Sequence, residues 1–372
     1  SKVYRVGKFA RRHRVLLTAS CAVFLALVFG GGIAAWQAFV ATQERQETER
    51  QRQIAQENYE RARDAVDTYL TKVSEDELLN TPGMQPLRKD LLQLALKYYQ
   101  DFVAERENDP GLEADLASAY MRVGKITRKI GSADDAFKAY RKAIEILNRL
   151  VVKYPAVCEY RVDLANSYFY VGYLQQTTGR TDKAVTSYQD AIDIQEKLAT
   201  EHSGIIEYRA ELAQSYHYLS VARKVLGEWD EALTHCLKSL EIREKLTAEN
   251  PGDLEYQFDL ASSYYHLSGL QTATGRYGEA LTVCQKGIKI RKRLAKENPE
   301  VLKYRATLAN SYTSLSGLQR TMGELDEALR SQKIAIDIQQ KLVTENPDVH
   351  VYQTRLANSN IGLAAQQMAI GK

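Results

Sequence analysis

The chain is poor in groups that do chemistry. Its 372 residues hold four cysteines and six histidines, and neither type recurs at a spacing that holds a metal. His235-Cys236 is an isolated pair, and His202, His217, His266 and His350 stand in unrelated contexts. No phosphate-cradling glycine loop, His-Arg-Asp run or Asp-Phe-Gly is present, and Gly30-Gly-Gly32 lies inside an apolar run. These residues are therefore expected to catalyse nothing and to hold no cofactor. A basic surplus is missing too. The net charge is +3, and Lys2, Arg5, Lys8, Arg11, Arg12 and Arg14 more than account for it: without them 44 Lys plus Arg face 47 Asp plus Glu, a balance of −3. That balance argues against a nucleic-acid partner.

Charge is absent altogether between Arg14 and Glu44. Leu16 to Trp36 would span about 31 Å as a helix, one hydrocarbon thickness, so residues 15–41 are expected to cross a membrane. The segment before the span, residues 1–14, is wholly basic in its charges, whereas Glu44 to Arg52 balances three Glu against three Arg. The positive side stays cytoplasmic, which places the rest of the chain outside the inner membrane. Cleavage as a signal peptide near Gly32-Ile33-Ala34 is the rival reading. Residues 42–80 have little apolar surface beyond Ile54, Tyr59, Ala62, Val66, Tyr69 and Val73, and read either as a solvated helical stalk or as one that pairs into a homodimer. After Thr81-Pro82-Gly83, residues 81–111 supply a helix from Leu87 to about Glu105, with Leu91, Leu94, Ala95, Tyr98 and Phe102 on one face to cap the remainder of the chain.

From there the chain repeats. Leu116-Ala-Ser-Ala-Tyr120 returns as Leu164-Ala-Asn-Ser-Tyr168, Leu212-Ala-Gln-Ser-Tyr216, Leu260-Ala-Ser-Ser-Tyr264, Leu308-Ala-Asn-Ser-Tyr312 and Leu356-Ala-Asn-Ser-Asn360, always 48 residues on. A period of this size signals a solenoid of stacked units. Glycine recurs at 131, 179, 227, 275, 323 and 371, with alanine five places later at 136, 184, 232, 280 and 328. Apolar residues at helical spacing flank each glycine (Tyr160, Leu164, Tyr168, Val171 and Leu174 before Gly179; Ala184, Tyr188, Ala191, Ile194 and Leu198 after it). Each unit is therefore a pair of helices joined at a glycine cap. Pro155, Pro251, Pro299 and Pro347 are expected to stop the second helix. Residues 112–372 thus hold five complete units and one cut short at Gly371-Lys372, in an all-α fold.

These units resemble tetratricopeptide repeats. The resemblance rests on the turn glycine, the alanine five on, small residues at Gly124, Gly172, Ser220, Ser268, Ser316 and Ala364, and a second small set at Ala143, Ala191, Ser239, Gly287 and Ala335. The extra 14 residues over the usual repeat lengthen both helices, as in kinesin light chains. Lys2 to Arg14 before the apolar run, Ala62 to Ser74, and Leu78 to Arg88 are similar to the region that follows the catalytic domain in membrane-anchored bacterial serine/threonine protein kinases. The resemblance implies an extracytoplasmic sensor or scaffold region of such a kinase, with ATP and Mg needed only by a catalytic domain before Ser1. A tethered scaffold with no kinase is the alternative.

In tetratricopeptide folds the concave face is lined by first-helix residues off the packed stripe. The family register assigns that role to Asn166, Phe169, Tyr173, Gln214, His217, Ser262, Tyr265, Asn310 and Thr313, facing a protein or peptide ligand. Ten of the 23 tyrosines fill two first-helix columns (120, 168, 216, 264, 312 and 160, 208, 256, 304, 352); core packing and direct recognition both fit them. Cys236 and Cys284 stand where other copies have Tyr140 and Tyr188, which suits buried thiols.

Overall fold

The computed structural model describes residues 14–66, 68, 84–106 and 113–370, and its regular structure is helical throughout. Two units are distinguished, one ending at Glu77 and one beginning at Leu78. In the first, α1 (Arg14–Ala65) runs unbroken for 52 residues. Its polar half is exposed except around Tyr59, which is buried, and is supported by pairs one turn apart, such as Gln51 to Glu47 at 2.8 Å and Arg61 to Glu57 at 3.6 Å. No helix among the described residues is long and apolar enough to cross a membrane. The membrane-crossing role expected of 15–41 is thus not shown: most of its side chains lie outside the described residues, as do segments 1–13 and 69–83.

The second unit opens with α2 (Gln85–Arg106), which starts two residues before the expected capping helix and ends one residue after it. Ten helices then form five hairpins: α3 (Glu113–Ile130) with α4 (Ala133–Lys153), α5 (Cys158–Thr177) with α6 (Thr181–Glu201), α7 (Ile206–Val225) with α8 (Trp229–Glu249), α9 (Leu254–Ala273) with α10 (Tyr277–Glu297), and α11 (Leu302–Thr321) with α12 (Leu325–Glu345). A sixth first helix, α13 (His350–Ile370), closes the described chain. Every helix packs on the next, and first helices of successive hairpins also touch.

Small residues set how closely a hairpin closes. Ala136, Ala184, Ala232, Ala280 and Ala328 are fully buried. Ser239 donates from Oγ to the Ala213 carbonyl at 2.7 Å, and a Cβ on Gly287 would lie 3.3 Å from the equivalent Ala261 carbonyl. Larger side chains fill around these contacts, with Leu116, Ile146, Leu147, Leu150 and Leu164 forming one such cluster. The tyrosine columns are partly core. Tyr216, Tyr264 and Tyr304 are buried, and the Tyr264 hydroxyl reaches Glu244 Oε1 at 2.5 Å at the wet edge.

Each turn glycine at 131, 179, 227, 275 and 323 has φ between +78° and +99°, a backbone that other residues adopt only at a cost. The cap is bonded twice. At Gly179 the backbone N–H of Arg180 donates to Gln175 O at 2.7 Å, and that of Gly179 donates to Gln176 O at 3.1 Å. Gly371 lies outside the described residues. Second helices stop where expected, at Lys153, Glu249, Glu297 and Glu345. Proline is not what fixes the point, since α6 stops in register at Glu201 with no proline after it. Asn250, Asn298 and Asn346 each fold back, Nδ2 donating to the carbonyl four residues earlier at 3.1 Å.

Candidate protein-binding surface

The stacking of first helices turns the 48-residue period into columns across neighbouring helices. Asn166, Gln214, Ser262 and Asn310 form one column. Gln214 is exposed and the other three are half-buried. Asn166 Nδ2 donates to Glu211 Oε1 on the first helix of the next hairpin at 3.4 Å. Thr313 is exposed, its hydroxyl turned back to the Ala309 carbonyl.

The next column does not present one kind of surface. Phe169, expected on the open face, is buried at 6% exposure and packs edge-on against Tyr218 at 5.2 Å. It is a core residue, because the tyrosine of the following hairpin lies over it. His217 is half-buried and Tyr265 is 39% exposed. Burial, ahead of Arg243 and His266, pushes the His217 imidazole far below its ordinary pKa. Burial also lowers His266 to about 4, followed by Lys224 and Arg243. Both rings are neutral near pH 7.

Together these side chains make a ladder of rings. Tyr140 stacks on Tyr170 at 5.3 Å, Tyr173 meets Tyr218 at 5.8 Å, His217 meets Tyr218 at 5.6 Å, and His217 meets His266 at 5.0 Å. Arg128 lies over Tyr170 and Tyr173 at 5.2 and 5.4 Å. Near this end a cavity of about 210 Å³ is lined by Ser118, Met121, Arg122, Lys125, Tyr140, Asp163 and Tyr170. Burial and then Glu159 raise the Asp163 carboxyl to about 6, against a smaller opposing effect of Arg122.

Beneath the face, two second helices each send an arginine to the first helix of the next hairpin, twenty residues on. Arg243 donates to Ser263 Oγ at 2.8 Å, and Arg291 donates to Ser311 Oγ at 2.5 Å. Gln195 and Gln339 occupy the same column. Family models for tetratricopeptide repeats match residues 117–146, 165–198 and 211–286. The matched segments, which fall in the first four hairpins, are similar to tetratricopeptide repeats. No curated protein matches the chain. Among solved structures it is similar to BtubC (BKLC) from P. vanneervenii, 20% identical, covering 68% of this chain and 92% of that one with a TM-score of 0.52. It is also similar to the apo form of RapI (14% identical, 77% and 96% covered, TM-score 0.46) and to a putative kinesin light chain with TPR-like repeats from Podosopora anserina (18%, 62% and 97%, 0.40). At these identities the likeness concerns the fold.

The 48-residue period thus places Asn166, Gln214, Ser262 and Asn310 in one first-helix column and Phe169, His217, Tyr265 and Thr313 in the next, with Tyr173 one turn beyond Phe169, and Phe169 lies in the core. The family register does not point to Arg243 and Arg291, which lie in second helices. Their signal in the sequence was a column reading Leu147, Gln195, Arg243, Arg291 and Gln339, a polar position inside an apolar stripe.

Proposed function

We propose that the repeats bind a protein or peptide along the first-helix face. The reading is carried by the column Asn166, Gln214, Ser262 and Asn310 running beside the ring ladder. Amides and hydroxyls take backbone N–H and C=O groups of an extended peptide whatever its sequence, and the rings add apolar contact. The full chain, held in a non-ionic detergent, can be panned against a random peptide library. Peptides it retains should bind about ten-fold more weakly when Asn166 and Asn310 are both changed to alanine, with helicity unchanged. Binding that ignores this double change and responds to charge reversal near Arg50 refutes the reading.

The setting we propose follows from the sequence: 15–41 anchors the chain in a membrane, 1–14 stays cytoplasmic and the repeats lie outside, as the region after the catalytic domain of a serine/threonine protein kinase, to which residues 2–14, 62–74 and 78–88 are similar. Support comes from the uncharged run and the basic flank before it. A reporter active only in the cytoplasm, fused after Lys372, should stay silent. The opposite result reverses the orientation, and recovery of the chain without membranes removes the anchor. Pairing of the stalk into a homodimer is read by cross-linking through a cysteine placed at Gln53.

A further inference from the structure

Two buried arginines one period apart are built alike and completed differently. Arg243 donates from Nη1 to the Asp259 carbonyl at 3.2 Å and to Ser263 Oγ at 2.8 Å, and its Nη2 stands 3.4 Å from the Asp259 carboxylate. Arg291 repeats the first two contacts, to the Thr307 carbonyl at 3.1 Å and Ser311 Oγ at 2.5 Å. The third is missing. Thr307 stands where Asp259 stands, its hydroxyl turned back to the Lys303 carbonyl at 2.8 Å. Arg291 Nη2 reaches only Ser262 Oγ at 3.4 Å, and Nε finds no acceptor. At 4% exposure, with no carboxylate among the described residues paired to it, this guanidinium is a buried cation without a counter-ion.

Packing does not require that charge, because the same column holds Gln195 and Gln339. The missing acid is also part of a wider change of sign. One first-helix column reads Asp115, Asp163, Glu211, Asp259 and then Thr307; a neighbouring one reads Glu159, Glu207, Glu255 and then Lys303. Both columns lose their negative charge at α11. The vacated place is reachable, since the Asp259 side chain at its counterpart is 42% exposed while Arg243 is 7% exposed. Above it lies Tyr265, its ring 4.9 Å from the Arg291 guanidinium carbon and its hydroxyl held by Ser314 at 3.1 Å.

We propose that the place beside Thr307 receives a carboxylate from the bound protein or peptide, which completes with Arg291 the ion pair that Asp259 completes with Arg243. The proposal rests on the peptide-binding reading and adds to it a chemistry and a direction. An acidic segment of the partner lies over α9 to α11, and the acidic columns of α3 to α9 turn it away from the other end. Burial lowers Arg291 to about 10, so it stays protonated near neutral pH.

The probes are labelled hexaglutamate and hexaserine peptides, titrated into the full chain at moderate salt. Hexaglutamate should bind the parent, and Thr307→Asp, which supplies the acid internally, should weaken it about ten-fold or more while raising the unfolding temperature. Arg291→Gln should weaken it equally, whereas Lys303→Ser, which removes an exposed cation resting on the Phe258 and Tyr304 rings at 5.0 and 5.5 Å, should change it less than about three-fold. If Arg291→Gln fails to fold, Thr307→Asp decides, since it removes no contact of the guanidinium. Hexaglutamate binding indifferent to Thr307→Asp overturns the proposal, and so does a parent that takes hexaserine but not hexaglutamate. A parent that takes no peptide from either probe or library overturns this proposal and the binding reading together.

Discussion

Exchanging the packing pair of one hairpin for that of the next gives a quantitative test of how the repeats are built. In the second hairpin a Cβ on Gly172 would lie 2.9 Å from the ring of Tyr188, and Gly124 meets Tyr140 in the same way. In the third and fourth hairpins the glycine is Ser220 or Ser268, which donates to the Ala232 or Ala280 carbonyl at 2.6 and 2.9 Å, and the tyrosine is Cys236 or Cys284. Tyr188 has nowhere to go: it is fully buried, lies against Phe169 and Tyr218 at 5.7 and 6.0 Å, and anchors its hydroxyl on Gln176 Oε1 at 2.8 Å. Gly172→Ser alone should therefore cost about 1–3 kcal/mol by overpacking. Tyr188→Cys alone removes seven heavy atoms for one sulfur and should cost about 3 kcal/mol through the cavity left. Made together they rebuild the pair of the third hairpin, and the double variant should be about 1–3 kcal/mol more stable than the sum of the singles. Recovery should be incomplete, because the following hairpin sets Tyr218 against Tyr188 but His266 against Ser220, and adding Tyr218→His should recover more. Urea unfolding followed by circular dichroism reads all the variants. Additivity within about 0.5 kcal/mol would show that the two positions do not share space.

Three further outcomes concern single sites. Gly227 has φ +80° with nothing within 4 Å of where a side-chain carbon would stand, so Gly227→Ala should cost about 1–2 kcal/mol through backbone conformation alone; a coincident unfolding midpoint would refute the turn geometry. Asp163 is raised to about 6, so the folded chain holds a proton there that the unfolded chain releases near its ordinary value. Stability should therefore fall as pH rises from about 4 through 6 and level off above, with Glu211, raised mainly by burial, acting in the same sense. Asp163→Asn should flatten the profile and raise the urea midpoint at pH 7, and an unchanged profile would refute it. Cys158 is half-buried, 3.1 Å from His202 Nε2 and 3.4 Å from Arg161, whereas burial pushes the Cys236 thiol up to about 12 and also raises Cys284. Brief alkylation followed by mass mapping should label Cys158 ahead of Cys236 and Cys284; early labelling of either buried thiol would show that the hairpin opens.

The period, the hairpins and the caps were legible because each depends on residues close in sequence and repeated five times. The burial of Tyr216 and Tyr264 was one of two readings that a ring in a helical stripe allowed. Phe169 was not legible as core, since its burial is decided by Tyr218, 49 places away and outside the family register. The helical pattern did not single out Arg243 and Arg291. They are buried because the partner of a second-helix residue is found twenty positions on, in another hairpin. The end of α6 shows the reverse case, in which the sequence offered proline as the cause and the structure keeps the boundary without it.

The pairing of Gly172 with Tyr188, and of Ser220 with Cys236, bears on how a chain of this kind can lengthen or shorten by recombination. Both members of a pair lie in one hairpin, on either side of the turn glycine. A crossover at that turn joining α5 to α8 sets Gly172 against Cys236 and leaves a hole, while one joining α7 to α6 sets Ser220 against Tyr188 and crowds it. A crossover between hairpins keeps every such pair whole and exchanges partners only across the seam, placing Gln195 against Ser263 or Arg243 against Ser215. Duplication is thus tolerated in one phase of the 48-residue period and penalised in the other, and equal yields of folded chimeras cut in the two phases would show that the phase does not matter.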